Sequence, residues 1–189
     1  MTTGEHGDDV SSSGVFVLAS DNMLGADQRK FRGVMGCCPT GVAVITAQHG
    51  GDLHGMVVGT LTSVSLDPPL VGFFPGKSSQ TWPRIEKAGR FCANVLAAEQ
   101  LNVCKIFASQ IEGKYDSVVH TASPGGMPII DGIAAWVDCR IDAVQEIGDH
   151  YLVVGAVEAM GQGSGSPLIF VHGGFCAPRS LEIMDCPTP

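Results

Sequence analysis

The chain has 189 residues, of which 44% are hydrophobic and 16% charged, with a formal net charge of −8 and a mean hydropathy of +0.21. That length suits one domain with a sizeable core, and so little solvating charge predicts that a partner, or a second copy of the chain, covers part of the surface. Eleven scattered Lys and Arg argue against nucleic acid, whose phosphates need clustered cations.

Residues 1–25 are polar, aperiodic and rich in Gly, Ser and Asp, which predicts a mobile arm. The apolar run inside it, 15–19 (VFVLA), is too short for a signal core or a membrane span, so a soluble cytoplasmic protein with no membrane partner is expected. Residues 27–35 read as a helix with Phe31, Val34 and Met35 on one face, stopping at Gly36. The β-branched run 42–47 (VAVITA) reads as a strand, and HGGD at 49–52 turns it into a hairpin. The returning stretch, 54–70 (HGMVVGTLTSVSLDPPL), carries the hydroxyls of Thr60, Thr62, Ser63 and Ser65 before stopping at Pro68-Pro69. Hydroxyls at a strand end suit an anion such as a phosphate, and they equally suit an exposed polar face ending in an ordinary turn.

A third strand is expected over 70–74, a helix over 78–87 with Pro83 in its first turn, a strand over 91–96 and a helix over 98–109. Residues 110–130 read as loop. Two long alternating strands, 133–145 and 150–160, joined by a Gly-Asp turn, predict a hairpin, and a short closing strand runs from 167 to Phe175. Strands joined mostly as hairpins make the class mainly β (α+β): a Greek-key barrel with appended helices, not a doubly wound sheet. The domain is expected over 26–180, with a tail over 181–189. Seven cysteines without a CxxC pair predict reduced, mostly buried thiols in the cytosol. The six histidines lack metal-ligand spacing, so no metal is expected, and no GxSxG elbow supports a serine hydrolase.

Five segments in order carry a resemblance: FRGVMGCCPTGVAVIT (31–46), HGMVVGTLTSVSLDPPLVGFF (54–74), KSSQTW (77–82), FCANVL (91–96) and IGDHYLVVGAV (147–157). Together they resemble the flavin reductase-like family over roughly residues 28–177. The resemblance implies an FMN-binding split β-barrel that works as a homodimer, binds FMN or FAD near the subunit interface, oxidises NADH or NADPH, and releases reduced flavin to a partner monooxygenase. It places the backbone of Val57, Val58 and Gly59 along the isoalloxazine edge and Asn94 near the flavin, although a structural Asn94 fits the strand equally well. Flavin phosphate needs hydroxyl and N–H donors with a cation nearby. Thr60, Thr62, Ser63 and Ser65 offer the first, and Lys77 with Ser78, Ser79 and Thr81 offers both, or else a plain helix cap. His150, in a full Gly148-Asp149-His150 match to the family motif, is the catalytic candidate, expected to hold the nicotinamide close to the flavin; otherwise it is a surface turn residue. Phe175 stands where the family often has an aromatic near the bound nucleotides, or is a core aromatic. Many members carry Asn-Ser where this chain has Gly59-Thr60, a departure that loses a side-chain amide and keeps a hydroxyl. Two rival readings remain at this point: a flavoenzyme that retains its flavin and acts on an organic substrate, and a non-catalytic flavin-binding module.

Overall fold

The computed structural model describes residues 26–178, so the expected arm over 1–25 and tail over 181–189 lie outside the described residues. The described residues fall into two units, divided between Met35 and Gly36. Of the first unit the described part is one helix, α1 (Ala26–Met35), where the apolar spacing predicts it.

The second unit is mainly β. In chain order it contains β1 (Thr40–Gly41), β2 (Ala43–His49), β3 (Asp52–Val58), β4 (Thr62–Leu66), β5 (Pro69–Phe73), α2 (Trp82–Ala88), β6 (Arg90–Val95), α3 (Leu101–Ala108), β7 (His120–Ala122) and β8 (Pro128–Ile130). The long pair β9 (Ala135–Ile147) and β10 (His150–Gln162) follows, then β11 (Ile169–Val171) and β12 (Gly174–Cys176). Seven strands form one antiparallel sheet in the order β3-β2-β6-β9-β10-β5-β4.

Its two edges, β3 and β4, are consecutive in sequence, and only residues 59–61 join them. A link of that length spans at most about 14 Å. The first and last strands must therefore approach each other, which curls the sheet into a barrel left open between β3 and β4. This is the split barrel that the resemblance implies.

Alternation explains why VAVITA sits at the centre. Ala43, Ile45 and Ala47 point into one buried cluster with Phe73, Trp82, Ile85 and Phe91, while Val42 and Val44 point into another with Leu96, Cys104, Phe107 and Ile130. The β2–β3 turn falls on Gly50 and Gly51, both at positive φ, and pairs His49 with Asp52. The Gly148-Asp149 turn likewise joins β9 to β10.

Three expectations differ from the structure. The strand read through 54–70 is broken at 59–61, so its hydroxyls fall on a loop and on an edge strand. The helix read from residue 78 begins at Trp82, where Ser79 Oγ accepts the Trp82 N–H at 3.1 Å, and residues 78–81 are loop. The stretch read as loop contains the small β7–β8 hairpin, whose three-residue strands are too short to show a period.

Candidate functional site

β3 is a terminal strand of the large sheet, and α3 and the 78–81 loop flank it. Two adjoining cavities follow it. The first, about 490 Å³, is walled by Met56 and Val57 of β3, by residues 78–81, and by Phe107, residues 108–110 and Lys114. The second, about 500 Å³, continues along residues 52–55 towards Arg84 and residues 110–115. Gln80, Thr81, Gln110 and Lys114 belong to the walls of both.

Gly55 allows this arrangement. A Cβ there would overlap the Phe107 ring and stand 3.1 Å from the Tyr115 hydroxyl, so only glycine lets α3 lie this close to β3. Tyr115 then donates its hydroxyl to His54 O at 2.8 Å and packs edge-on against Phe107, with ring centroids 5.1 Å apart. Burial pushes the Tyr115 phenol up, so it remains a neutral donor.

Lys114 is the cation of the first cavity. Its Nζ donates to Phe107 O at 3.0 Å, and among the described residues it has no carboxylate partner. Desolvation holds its pKa below the usual lysine value. An ammonium without a countercharge, beside the hydroxyls of Ser78, Ser79 and Thr81, is a donor set suited to a phosphate. Met56, Val57 and Phe107 give the same cavity an apolar wall suited to a flat ring. The residues present therefore fit a flavin nucleotide.

His150 stands beside this loop. A Cβ on Gly76 would lie 3.8 Å from both His150 Nε2 and Ser78 Oγ. The segment is lashed to the β9–β10 turn by Lys77 N donating to Asp149 O and by Tyr151 N donating to Pro75 O, each at 2.9 Å. His150 Nδ1 lies 2.7 Å from Asp149 Oδ1. That contact holds the Asp149 carboxyl below the usual carboxylate range, so the oxygen is an acceptor and Nδ1 carries the proton. In the neutral ring, Nε2 is then left with its lone pair facing the loop.

The other sequence candidates divide. Val57, Ser79 and Thr81 line the first cavity; Val58 is buried in the barrel core, leaving only its backbone near the loop. Thr60 Oγ1 accepts the Phe74 N–H at 2.9 Å, which pins the 59–61 loop and leaves the hydroxyl proton free to donate. Thr62, Ser63 and Ser65 lie on β4, away from both cavities.

Lys77 turns away from Ser79 and Thr81: its Nζ pairs with Glu146 Oε2 at 2.8 Å and sits over the Tyr151 ring. Asn94 is fully buried and walls neither cavity. Its Oδ1 accepts the Ile130 N–H at 2.8 Å and its Nδ2 donates among Thr46 Oγ1 and the carbonyls of Val44, Cys92 and Pro128, so the side chain satisfies buried polar groups of three strands. Phe175 lies partly exposed on β12 against Phe170, with ring centroids 5.1 Å apart, outside the groove.

Sequence reasoning missed Lys114, Arg84 and Tyr115. A signal existed: a stretch of about twenty residues without clear periodicity inside a compact domain is commonly functional, and Lys114-Tyr115 is its cationic and aromatic point. Among the described residues no group of His, Cys, Asp or Glu is placed to hold a metal, and no helix is long and apolar enough to cross a membrane. Burial lifts the thiols of Cys92 and Cys139 to about 12.

The sequence model of a family described as "Flavin reductase like domain" matches residues 35–179. A flavin reductase of Pseudomonas putida is 51% identical over 151 residues, spanning 79% of this chain and 89% of the relative. The reductase subunit HsaB of a flavin-dependent monooxygenase of Rhodococcus jostii is 39% identical over 162 residues, 85% of this chain and 83% of its own. Among solved structures, the Streptomyces globisporus NADH:FAD oxidoreductase SgcE6, in complex with NAD and FAD fragments, superposes with a TM-score of 0.77 at 32% identity, covering 84% of this chain and 96% of that one.

Proposed function

The chain belongs to the flavin reductase-like domain family and is a flavin oxidoreductase using NADH or NADPH, and from that premise we propose that its groove along β3 holds FMN or FAD while His150 orients the hydride donor. The observation that supports this reading is the convergence of Val57, residues 78–81 and Lys114 on one cavity, with His150 next to Ser78 across Gly76. Bound flavin supplies the hydride acceptor, so the chemistry needs no protein nucleophile.

What the chain contributes is position and dryness. The hydroxyls of Ser79 and Thr81 and the Lys114 ammonium hold the phosphate, and Thr60, pinned by Phe74, offers a hydroxyl proton at the other end. Met56 and Val57 cover the ring on one side and exclude water. Asp149 fixes the His150 proton on Nδ1, so Nε2 accepts an N–H from the nicotinamide carboxamide and sets its distance from the ring.

Reduced flavin then passes to a partner monooxygenase, and the protein acts as a cytoplasmic homodimer. Kinship with monooxygenase reductase subunits supports the first part. For the second, the edge strand β4 exposes Val64 and Leu66, the latter at 89%, and β10 exposes Met160, an apolar surface suited to a second copy. The test is NAD(P)H oxidation by the purified protein with and without free FMN or FAD. Turnover should rise and saturate with added flavin, and His150→Ala should raise the Michaelis constant for NAD(P)H while flavin binding persists. Flavin binding without NAD(P)H consumption would overturn the proposal.

A further inference from the structure

The tip of the long β9–β10 hairpin projects beyond the sheet that supports its base. β9 pairs with β6 from Ala135 to Arg140, and Ile141 N donating to Gly89 O at 2.9 Å is the last tie on that side. β10 pairs with β5 only from Val153 to Ala156. Beyond those points, among the described strands, residues 142–147 and 150–152 pair only with each other. Every residue from Asp142 to His150 is exposed. A two-stranded ribbon with no covered face is marginal by itself, and this one carries Asp149 and His150 at its turn.

The segment 75–77 is what holds the tip. Tyr151 N donates to Pro75 O and Lys77 N to Asp149 O, on either side of a bridge between Gly76 and His150. The Lys77 side chain then reaches across the ribbon. Its ammonium meets Glu146 Oε2 of β9 at 2.8 Å and lies 5.8 Å from the centroid of the Tyr151 ring on β10. Tyr151 stands 6.3 Å from the ring of Trp82, which is buried in the barrel core. A line of contacts therefore runs from the core through Trp82, Tyr151 and Lys77 to Glu146 on the far strand. Lys77 touches the turn through its backbone and both strands through its side chain. The residues that follow it, 78–81, wall the first cavity.

Resting on the reading of His150 given above, we propose that Lys77 and Glu146 are positioning residues for NAD(P)H oxidation. Their ion pair clamps the hairpin tip to the 75–77 segment and so holds His150 against the loop that walls the first cavity. Neither side chain walls a cavity itself, and the pair acts through His150. A partly exposed ion pair adds little to global stability. It decides instead the order of a ribbon that opens locally without the barrel unfolding. Its loss is therefore read in the use of the pyridine nucleotide and not in melting.

The test is steady-state kinetics with FMN and with NADH or NADPH, whichever the wild type oxidises faster, each varied in turn. Melting temperatures are measured alongside. Glu146→Gln and Lys77→Gln, which remove the pair, should raise the Michaelis constant for the pyridine nucleotide about two- to fivefold, the range of an exposed ion pair. Glu146→Lys sets two ammoniums face to face and should raise it about tenfold. Lys77→Arg keeps the pair and should stay closer to the wild type than Lys77→Gln. The Michaelis constant for FMN and the melting temperature should hold in all four. In a His150→Ala background, Glu146→Lys should add no further loss, because the clamp acts through that ring. A pyridine-nucleotide constant that stays unchanged in Glu146→Lys, while His150→Ala raises it, would overturn this inference and leave the reading of His150 standing. So would an equal rise for FMN, a rise accompanied by a lower melting temperature, a Lys77→Arg no better than Lys77→Gln, or an effect of Glu146→Lys that persists without His150. An unchanged constant in His150→Ala would overturn the reading of His150 itself, and the clamp with it.

Discussion

Asn94 separates two accounts of the same motif, because FCANVL places it equally well beside a flavin or inside the core. In the structure it ties three strands together: it lies on β6, its Oδ1 satisfies the Ile130 N–H of β8, and its Nδ2 reaches Val44 O at 3.3 Å and Thr46 Oγ1 at 3.0 Å on β2. Asn94→Leu keeps the volume and removes both polar ends. The Ile130 N–H is then buried without a partner, at about 1–3 kcal/mol, and the carbonyls that shared Nδ2 add to that. Thr46 Oγ1 still donates towards Cys92 O or Pro128 O, which limits the loss. A net cost of about 2–4 kcal/mol follows. In a domain of this size each kcal/mol shifts the melting temperature by about 2–4 °C, so a fall of about 5–15 °C is expected. Thermal unfolding followed by circular dichroism measures it, and flavin titration well below the transition measures binding on the folded protein. Flavin affinity should hold. A variant that melts like the wild type but has lost its flavin would refute the structural assignment.

Two further outcomes follow from the groove. Gly55→Ala puts a methyl into the Phe107 ring and against Tyr115, an overpacking worth about 1–3 kcal/mol; it should lower the melting temperature and weaken flavin binding together, and an unchanged melting curve would show that α3 is free to move. Lys114 has its pKa lowered by desolvation, so its ammonium destabilises the unliganded fold until pH rises through that folded pKa, below the ordinary lysine value of about 10.4. A bound phosphate favours the charged form, so flavin affinity should fall as pH rises through the same point, and titrations from about pH 7 to about pH 11 should show Lys114→Arg keeping its affinity further into the alkaline range. Identical pH profiles for wild type and Lys114→Arg would remove Lys114 from the phosphate site.

The strands with a clear period were legible in the sequence. The β-branched apolar run 42–47 forecast a strand, and Gly50-Gly51 and Gly148-Asp149 forecast both hairpins, because these features depend on neighbours in the chain. The site was legible only in part. Lys77 and Ser79 are two residues apart and share a motif, yet the turn closed by Ser79 N and Gly76 O at 3.0 Å sends Lys77 to Glu146 and leaves Ser79 in the groove. Loop direction, unlike strand alternation, has no period to read. Lys114 shows the converse: it comes from a distant loop, and only the packing of α3 against Gly55 brings it to Thr81.

The Gly59-Thr60 pair, which the resemblance set against the Asn-Ser of many family members, can be read from the same geometry. Residues 59–61 cross from β3 to β4, the two edges between which the barrel is open. A Cβ at position 59 would stand 3.1 Å from Thr40 Oγ1, closer than most such contacts, so an Asn there would require the Thr40 side chain to shift by a few tenths of an ångström. Glycine removes that demand, and the Thr60–Phe74 bond supplies the anchor that fixes the loop. The glycine at 59 and the backbone pin at 60 therefore act together on one crossing: the first removes a close contact with Thr40, and the second anchors the loop to Phe74.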